Sequence, residues 1–188
     1  ASLDRGASEQ GWSWPWPRQV YAPIIAFCKR AGARSVAFDV LFTEPSAYGV
    51  DDDQQLGAAF ASHPSAAAVF LGRQAEQQQA WPESFTRRVW LQTAGAALPG
   101  MLHEPGAAFP VPEIATNAAW LANVKDVPDR DGVFRRAALF RVFDGVPLPS
   151  LGLASALAAA PDTRCTWRPG WFEFGGRRLP VDADGRSE

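Results

Sequence analysis

Two cysteines, Cys28 and Cys165, and two histidines, His63 and His103, are all that this sequence offers of the thiols and imidazoles common in metal and redox sites. Two thiols define no disulfide framework. They either close one bridge across a long loop, worth about 2–4 kcal/mol where the geometry permits, or stand as two buried thiols, and Cys28 falls in the apolar pattern of a helix. His-Glu-x-x-His, Cys-x-x-Cys and Gly-Lys-Ser strings are absent, so zinc hydrolysis, dithiol redox chemistry and Walker-type phosphate binding lack their usual parts. No Gly-x-Ser-x-Gly elbow precedes a helix. The chain by itself is expected to be no enzyme and to hold no cofactor.

Long apolar runs are missing as well. The Ala-rich stretch Leu151 to Ala160 is ten residues long, well short of the roughly 18 that would span a bilayer. The amino end lacks the basic region and short apolar core of an export signal, which puts any signal or membrane anchor outside this chain. Charge of one sign is scarce: 18 Lys and Arg stand against 20 Asp and Glu, for a formal charge of −2. Without a run of about five like charges, neither a nucleic-acid footprint nor a polybasic membrane patch is expected.

What is present fits one globular domain over residues 1–188, 47% hydrophobic and large enough to bury roughly 70% of its unfolded surface without staples. Trp14-Pro15-Trp16-Pro17-Arg18 reads as the start of a helix, since Pro is tolerated in a first turn. Val20, Tyr21, Ile24, Ile25, Phe27 and Cys28 then recur at spacings of three and four, and Gly32 supplies a left-handed stop. Residues 35–42 form an apolar, β-branched run that predicts a central parallel strand. Asp51 to Asp53 open a helix to about Ser62, their charges favouring its positive end. Residues 66–72 predict the next strand. From Arg73 to Pro112 the pattern is irregular, with a further strand in 85–92. A short helix from Pro112 and a strand at 120–124 follow. Residues 133–143 read as one long strand, Asp144-Gly145 and Gly175-Gly176 as hairpin turns, and Pro149-Ser150 as the start of a helix that Pro161 ends. The fold predicted is α/β: a mixed, largely parallel central sheet flanked by helices, with an antiparallel hairpin portion, the sheet incomplete at both chain ends.

Asp39 is the most informative charge, because a bare carboxylate inside an apolar strand is costly. Ligands of parallel sheets gather at the carboxyl ends of strands, where Asp39 and Glu44 would point; a carboxylate that caps a helix or ties down a loop is the alternative. Asp126, Asp129, Asp131 and Gly132 suggest a calcium loop, but placing Gly132 sixth puts Val127 first and Ala138 twelfth, where carboxylates are required. An Asp-Arg-Asp-Gly turn with Asp131 tied to Arg135 or Arg136 accounts for them better, and no metal is expected. The eight Trp residues are read as packing residues rather than an aromatic cage.

Trp14 to Arg18, the helix end Ala31-Gly32-Ala33, Phe38-Asp39-Val40-Leu41-Phe42 with Glu44-Pro45, the Asp-rich start at Asp51 and Asp129-x-Asp131-Gly132-x-x-Arg135-Arg136 occur in an order that resembles the second class of CHASE domains, sensory extracellular domains of cyclases and histidine kinases. The resemblance covers about residues 12–185. It implies the periplasmic input domain of a bacterial inner-membrane receptor, with an adenylate or guanylate cyclase, a histidine kinase or a Ser/Thr kinase as its output. It also implies an apolar strand before Ala1 and further strands and a membrane helix beyond the carboxyl end. The chain therefore reads as an excised portion whose sheet exposes an edge. The candidate ligand-binding residues are Asp39, Glu44, Asp131 and Arg135, for an unknown small molecule or periplasmic partner. In the alternative reading the domain binds no small ligand and docks a partner or a second copy through Trp12, Trp14 and Trp16.

Overall fold

The structure is a computed structural model that describes residues 15–73, 78–94, 98, 102–183 and 185–187. Arg18–Val20 make a single 3-10 turn, and α1 spans Ala22–Arg30 with Pro23 in its first turn. Gly32 ends it at φ +81°, the left-handed stop expected there. β1 is Val36–Phe38, α2 is Val50–Ala61 with Asp51, Asp52 and Asp53 in its first turn, and β2 is Ser65–Leu71. The described residues of the irregular stretch include three two-residue strands, β3 (Leu91–Gln92), β4 (His103–Glu104) and β5 (Ala107–Ala108). The one-turn helix α3 (Pro112–Ala115) and β6 (Trp120–Asn123) follow. Next come β7 (Ala137–Ala138), β8 (Phe140–Phe143), β9 (Val146–Pro149) and α4 (Leu151–Ala159), whose N-terminus is capped by the Ser150 hydroxyl accepting from Leu153 N–H. The chain closes with β10 (Cys165–Arg168), β11 (Trp171–Phe174), β12 (Arg177–Pro180) and β13 (Arg186–Ser187).

β2 is the centre of the fold. It pairs in parallel with β1 (Ala37 opposite Ala66) and with β6 (Ala68 opposite Ala122), and antiparallel at its far end with β5 (Leu71 opposite Ala107). A second sheet runs β12-β11-β10-β3, and smaller ones join β4-β8-β9 and β13-β7. The mixed α/β class with parallel and antiparallel portions is as the sequence predicts. Both hairpin turns hold as well: Asp144-Gly145 (φ +47° and +73°) and Gly175-Gly176 (φ +55° and +80°) have the paired positive φ that matches strand twist.

Along β2 the period of two sends Ala67, Val69 and Leu71 to one face and Ala66 to the other. On the first face Ala67 joins Ile25 of α1, Phe38, Leu56 and Phe60 of α2 and Ile114 of α3 in one buried cluster. On the second, Ala66 and Ala122 meet Ala154, Leu157 and Ala158 of α4, together with Phe140, Trp167 and Phe172 from the antiparallel strands. Four expectations need correction. The strand predicted over 35–42 ends at Phe38, because the Phe42 carbonyl accepts a hydrogen bond from Val111 N–H at 2.8 Å and draws the chain off the sheet towards α3. Among the described residues β1 pairs only with β2, so β2 rather than β1 is central. The run 133–143 is broken into β7 and β8, which pair with different partners, and in 85–92 only Leu91–Gln92 are extended in a ladder.

Candidate functional site

The Trp-Pro-Trp-Pro-Arg string and the Asp triad, distant in sequence, meet in one buried polar cluster. Arg18 is 8% exposed, Asp52 5% and Asp53 2%. Asp52 accepts from the Arg18 backbone N–H (2.7 Å), Gln19 N–H (2.7 Å) and the Ser46 hydroxyl (2.5 Å). Asp53 forms an ion pair with the Arg18 guanidinium and accepts from Ser46 N–H at 3.0 Å. The other arm of Arg18 donates to the Glu44 carbonyl, and its guanidinium lies 5.3 Å from the centre of the Phe42 ring. Every carboxylate oxygen of the two Asp residues is occupied, as buried charge requires. The cluster ties the amino-terminal segment and the 39–49 loop to the start of α2.

Beside this latch lies a hollow of about 290 Å3, lined among others by Trp16, Arg18, Tyr21, Phe42, Glu44 and Tyr48. It sits past the carboxyl end of β1, where a ligand of a parallel sheet is expected. Tyr21 packs edge-on against Phe38 and Phe42 at 6.0 and 5.4 Å. Burial pushes its phenol pKa up, opposed by the nearby Arg18 charge. Glu44 is exposed on the wall of the hollow, and Trp16 is half-buried. Trp12 and Trp14 lie outside the described residues. Asp39 does not sit inside a strand: it is the residue after β1 and exposed, so the desolvation cost that singled it out does not arise.

Asp131 and Arg135 belong to a different, exposed cluster. Arg135 pairs with Asp131 at 2.9 Å and with Asp129 at 3.5 Å, and Arg136 bridges Asp129 (2.7 Å) and Asp182 (2.9 Å). Hydrogen bonds from Arg136 hold Asp129 below the usual carboxylate range, and Arg135 does the same for Asp131. The turn expected at Asp129 to Gly132 is therefore fastened by arginines, with Gly132 at φ +81°. Among the described residues no hydrogen bond or ion pair joins this cluster to Asp39 or Glu44, so the four candidate ligand residues do not form one site.

Sequence reasoning missed a second buried network, at the carboxyl end of β6. Arg141, in the middle of β8 and 3% exposed, donates to Glu104 at 2.8 Å and to the Lys125 carbonyl at 3.3 Å, while the Lys125 amine reaches Glu104 at 2.7 Å. One terminal guanidinium nitrogen of Arg141 has no hydrogen-bond partner among the described residues. The signal was available: Arg141 is the charge inside an apolar strand that Asp39 only resembles. Both cysteines are free thiols, and burial pushes Cys165 up to about 11. Trp81, Trp120 and Trp167 are core residues, in keeping with packing. Among the described residues no three His, Cys, Asp or Glu side chains gather as a metal site, and no helix is long and apolar enough to cross a membrane.

Compared with known proteins, the sequence matches the family model of the CHASE2 domain over residues 1–187. No curated protein and no solved structure matches the chain.

Proposed function

The chain belongs to the CHASE2 family, extracellular sensory domains of signalling receptors, and from that premise we propose that it is the periplasmic input domain of a bacterial transmembrane receptor. Its output is a cytoplasmic adenylate or guanylate cyclase, histidine kinase or Ser/Thr kinase, and the domain itself supplies recognition. The observation that supports this reading is the Arg18 latch standing against the Glu44 hollow, so that one occupant touches both Trp16 on the incoming segment and the loop that Arg18 fastens. A ligand there changes signalling only through different affinity for two arrangements of that segment. Of the candidate residues we retain Glu44 as the ligand contact; Asp39, Asp131 and Arg135 are not brought into the hollow.

A thermal-shift screen of the purified chain against metabolites, nucleotides, sugars and divalent cations, with Glu44→Ala in parallel, tests this. A ligand at 100 times its Kd adds about 2.7 kcal/mol, a shift of several degrees. At least one compound should give a shift that disappears in Glu44→Ala; if no compound gives a shift that Glu44→Ala removes, the assignment is overturned. One observation favours docking as a second reading: Ile24 and Phe27, three apart on α1, are 43% and 63% exposed. Sedimentation at high concentration should then show a homodimer that Phe27→Glu dissolves, and a monomer throughout removes that reading.

A further inference from the structure

The parallel sheet has a second populated end. Because β1, β2 and β6 run the same way, His63 and Pro64, which lead into β2, and Trp120, which opens β6, lie at the end opposite the Glu44 hollow. Two clefts meet there along Arg88 and Trp120. One, of about 490 Å3, is walled by Trp90, Leu157 and Arg164; the other, of about 600 Å3, by His63, Asn117 and Ala158.

Three features define what this place would hold. The Arg88 guanidinium lies 5.2 Å from the centre of the Trp120 ring, and among the described residues no carboxylate pairs with it, whereas its neighbour Arg87 is paired with Asp144 at 2.8 Å. Its planar fork of donors is thus held in place from below and uncommitted above. Trp90 stands edge-on to buried Trp120 at 6.2 Å and 87°, and its indole N–H is fixed by the Pro147 carbonyl at 2.8 Å, giving one flat, partly exposed apolar wall beside Arg88. Among the lining residues Arg88 and Arg164 oppose only Asp162 in the first cleft, and the second holds no acid at all. In a chain of formal charge −2 this is a local excess of positive charge.

We propose that this corner binds small carboxylates with a flat apolar body, the carboxylate bidentate on Arg88 and the body against Trp90. The site stands independently of the Glu44 hollow. Isothermal titration of the purified chain with benzoate and phenylacetate tests it, with benzamide and benzylamine as the neutral and cationic counterparts. Saturable binding of the carboxylates is expected, weakened about tenfold or more both by exchange for benzamide and by Arg88→Gln, since hydrogen bonds to charged groups carry more than neutral ones. Arg88 is exposed, so this variant should fold. Arg87→Gln and Glu44→Ala should bind as wild type does. The proposal is overturned if neither carboxylate saturates, if benzamide binds as well as benzoate, if Arg88→Gln changes nothing, or if Glu44→Ala abolishes binding.

Discussion

At Arg18 and Asp53 the arithmetic of buried charge is one-sided. The pair contributes little compared with a well-packed apolar substitute, but deleting one partner strands the other charge in the interior, typically at about 3–5 kcal/mol. Asp53→Ala is therefore expected to lower stability in urea unfolding by that order, far more than Asp51→Ala on the exposed side of the same turn; equal effects would mean that the latch is solvated. The half-buried Asp129 behaves differently. Hydrogen bonding from Arg136 lowers its pKa in the folded state, so its stabilising contribution is complete above the unfolded pKa and is lost as pH falls through the lower, folded one. Asp129→Asn should thus melt below wild type at neutral pH, with the gap closing only below the ordinary carboxylate range. A gap constant down to pH 2 would locate the loss elsewhere. The same residues show what a sequence reveals about charge. Asp131 tied to Arg135 was legible because both lie in one turn. The Arg18 partnership was not, because its two halves are more than a helix apart and nothing in either string names the other.

Among the elements, legibility followed length. α2, α4 and β2 appear within about two residues of where the pattern sets them, and α1 stops at Gly32 as expected, but it begins only at Ala22, after a 3-10 turn at Arg18–Val20, rather than with the Trp-Pro-Trp-Pro-Arg string. β3, β4, β5 and β7 are two residues each; such strands exist only through their partners, and no local pattern encodes them. β9, Val-Pro-Leu-Pro, contradicts strand propensity yet pairs antiparallel with β8, the turn at Asp144-Gly145 imposing the register. Helix contact also sets one sharp constraint. A Cβ on Gly57 of α2 would come 2.2 Å from the Glu113 carbonyl oxygen of α3. Replacing a helical Gly with Ala ordinarily gains up to about 1 kcal/mol, but here the backbone contact must open. Gly57→Ala is expected to destabilise by about 1–3 kcal/mol, the range for overpacking. A rise in Tm would show that α3 yields freely.

For the whole molecule, the ordered motifs led to the correct family and fold class, while the site had to be assembled from segments that only the fold brings together. Trp16, Phe42 and Tyr48 face one hollow from segments on both sides of β1, and Arg88 and His63 border one cleft across the β2 strand. This division bears on how a signal would travel. The latch fastens residues 15–21 and 39–49 to α2, whereas β2, β6 and α4 are held by apolar packing to which Arg18 contributes nothing. A device that switches must open at lower cost than the core does. Arg18→Lys keeps the charge but gives up the planar fork that reaches Asp53 and the Glu44 carbonyl together, so amide exchange should quicken in 15–21 and 39–49 and stay slow through β2. Exchange that accelerates equally in β2 would make the latch part of the global folding unit, and the amino-terminal segment could then not move separately from the sheet that supports it.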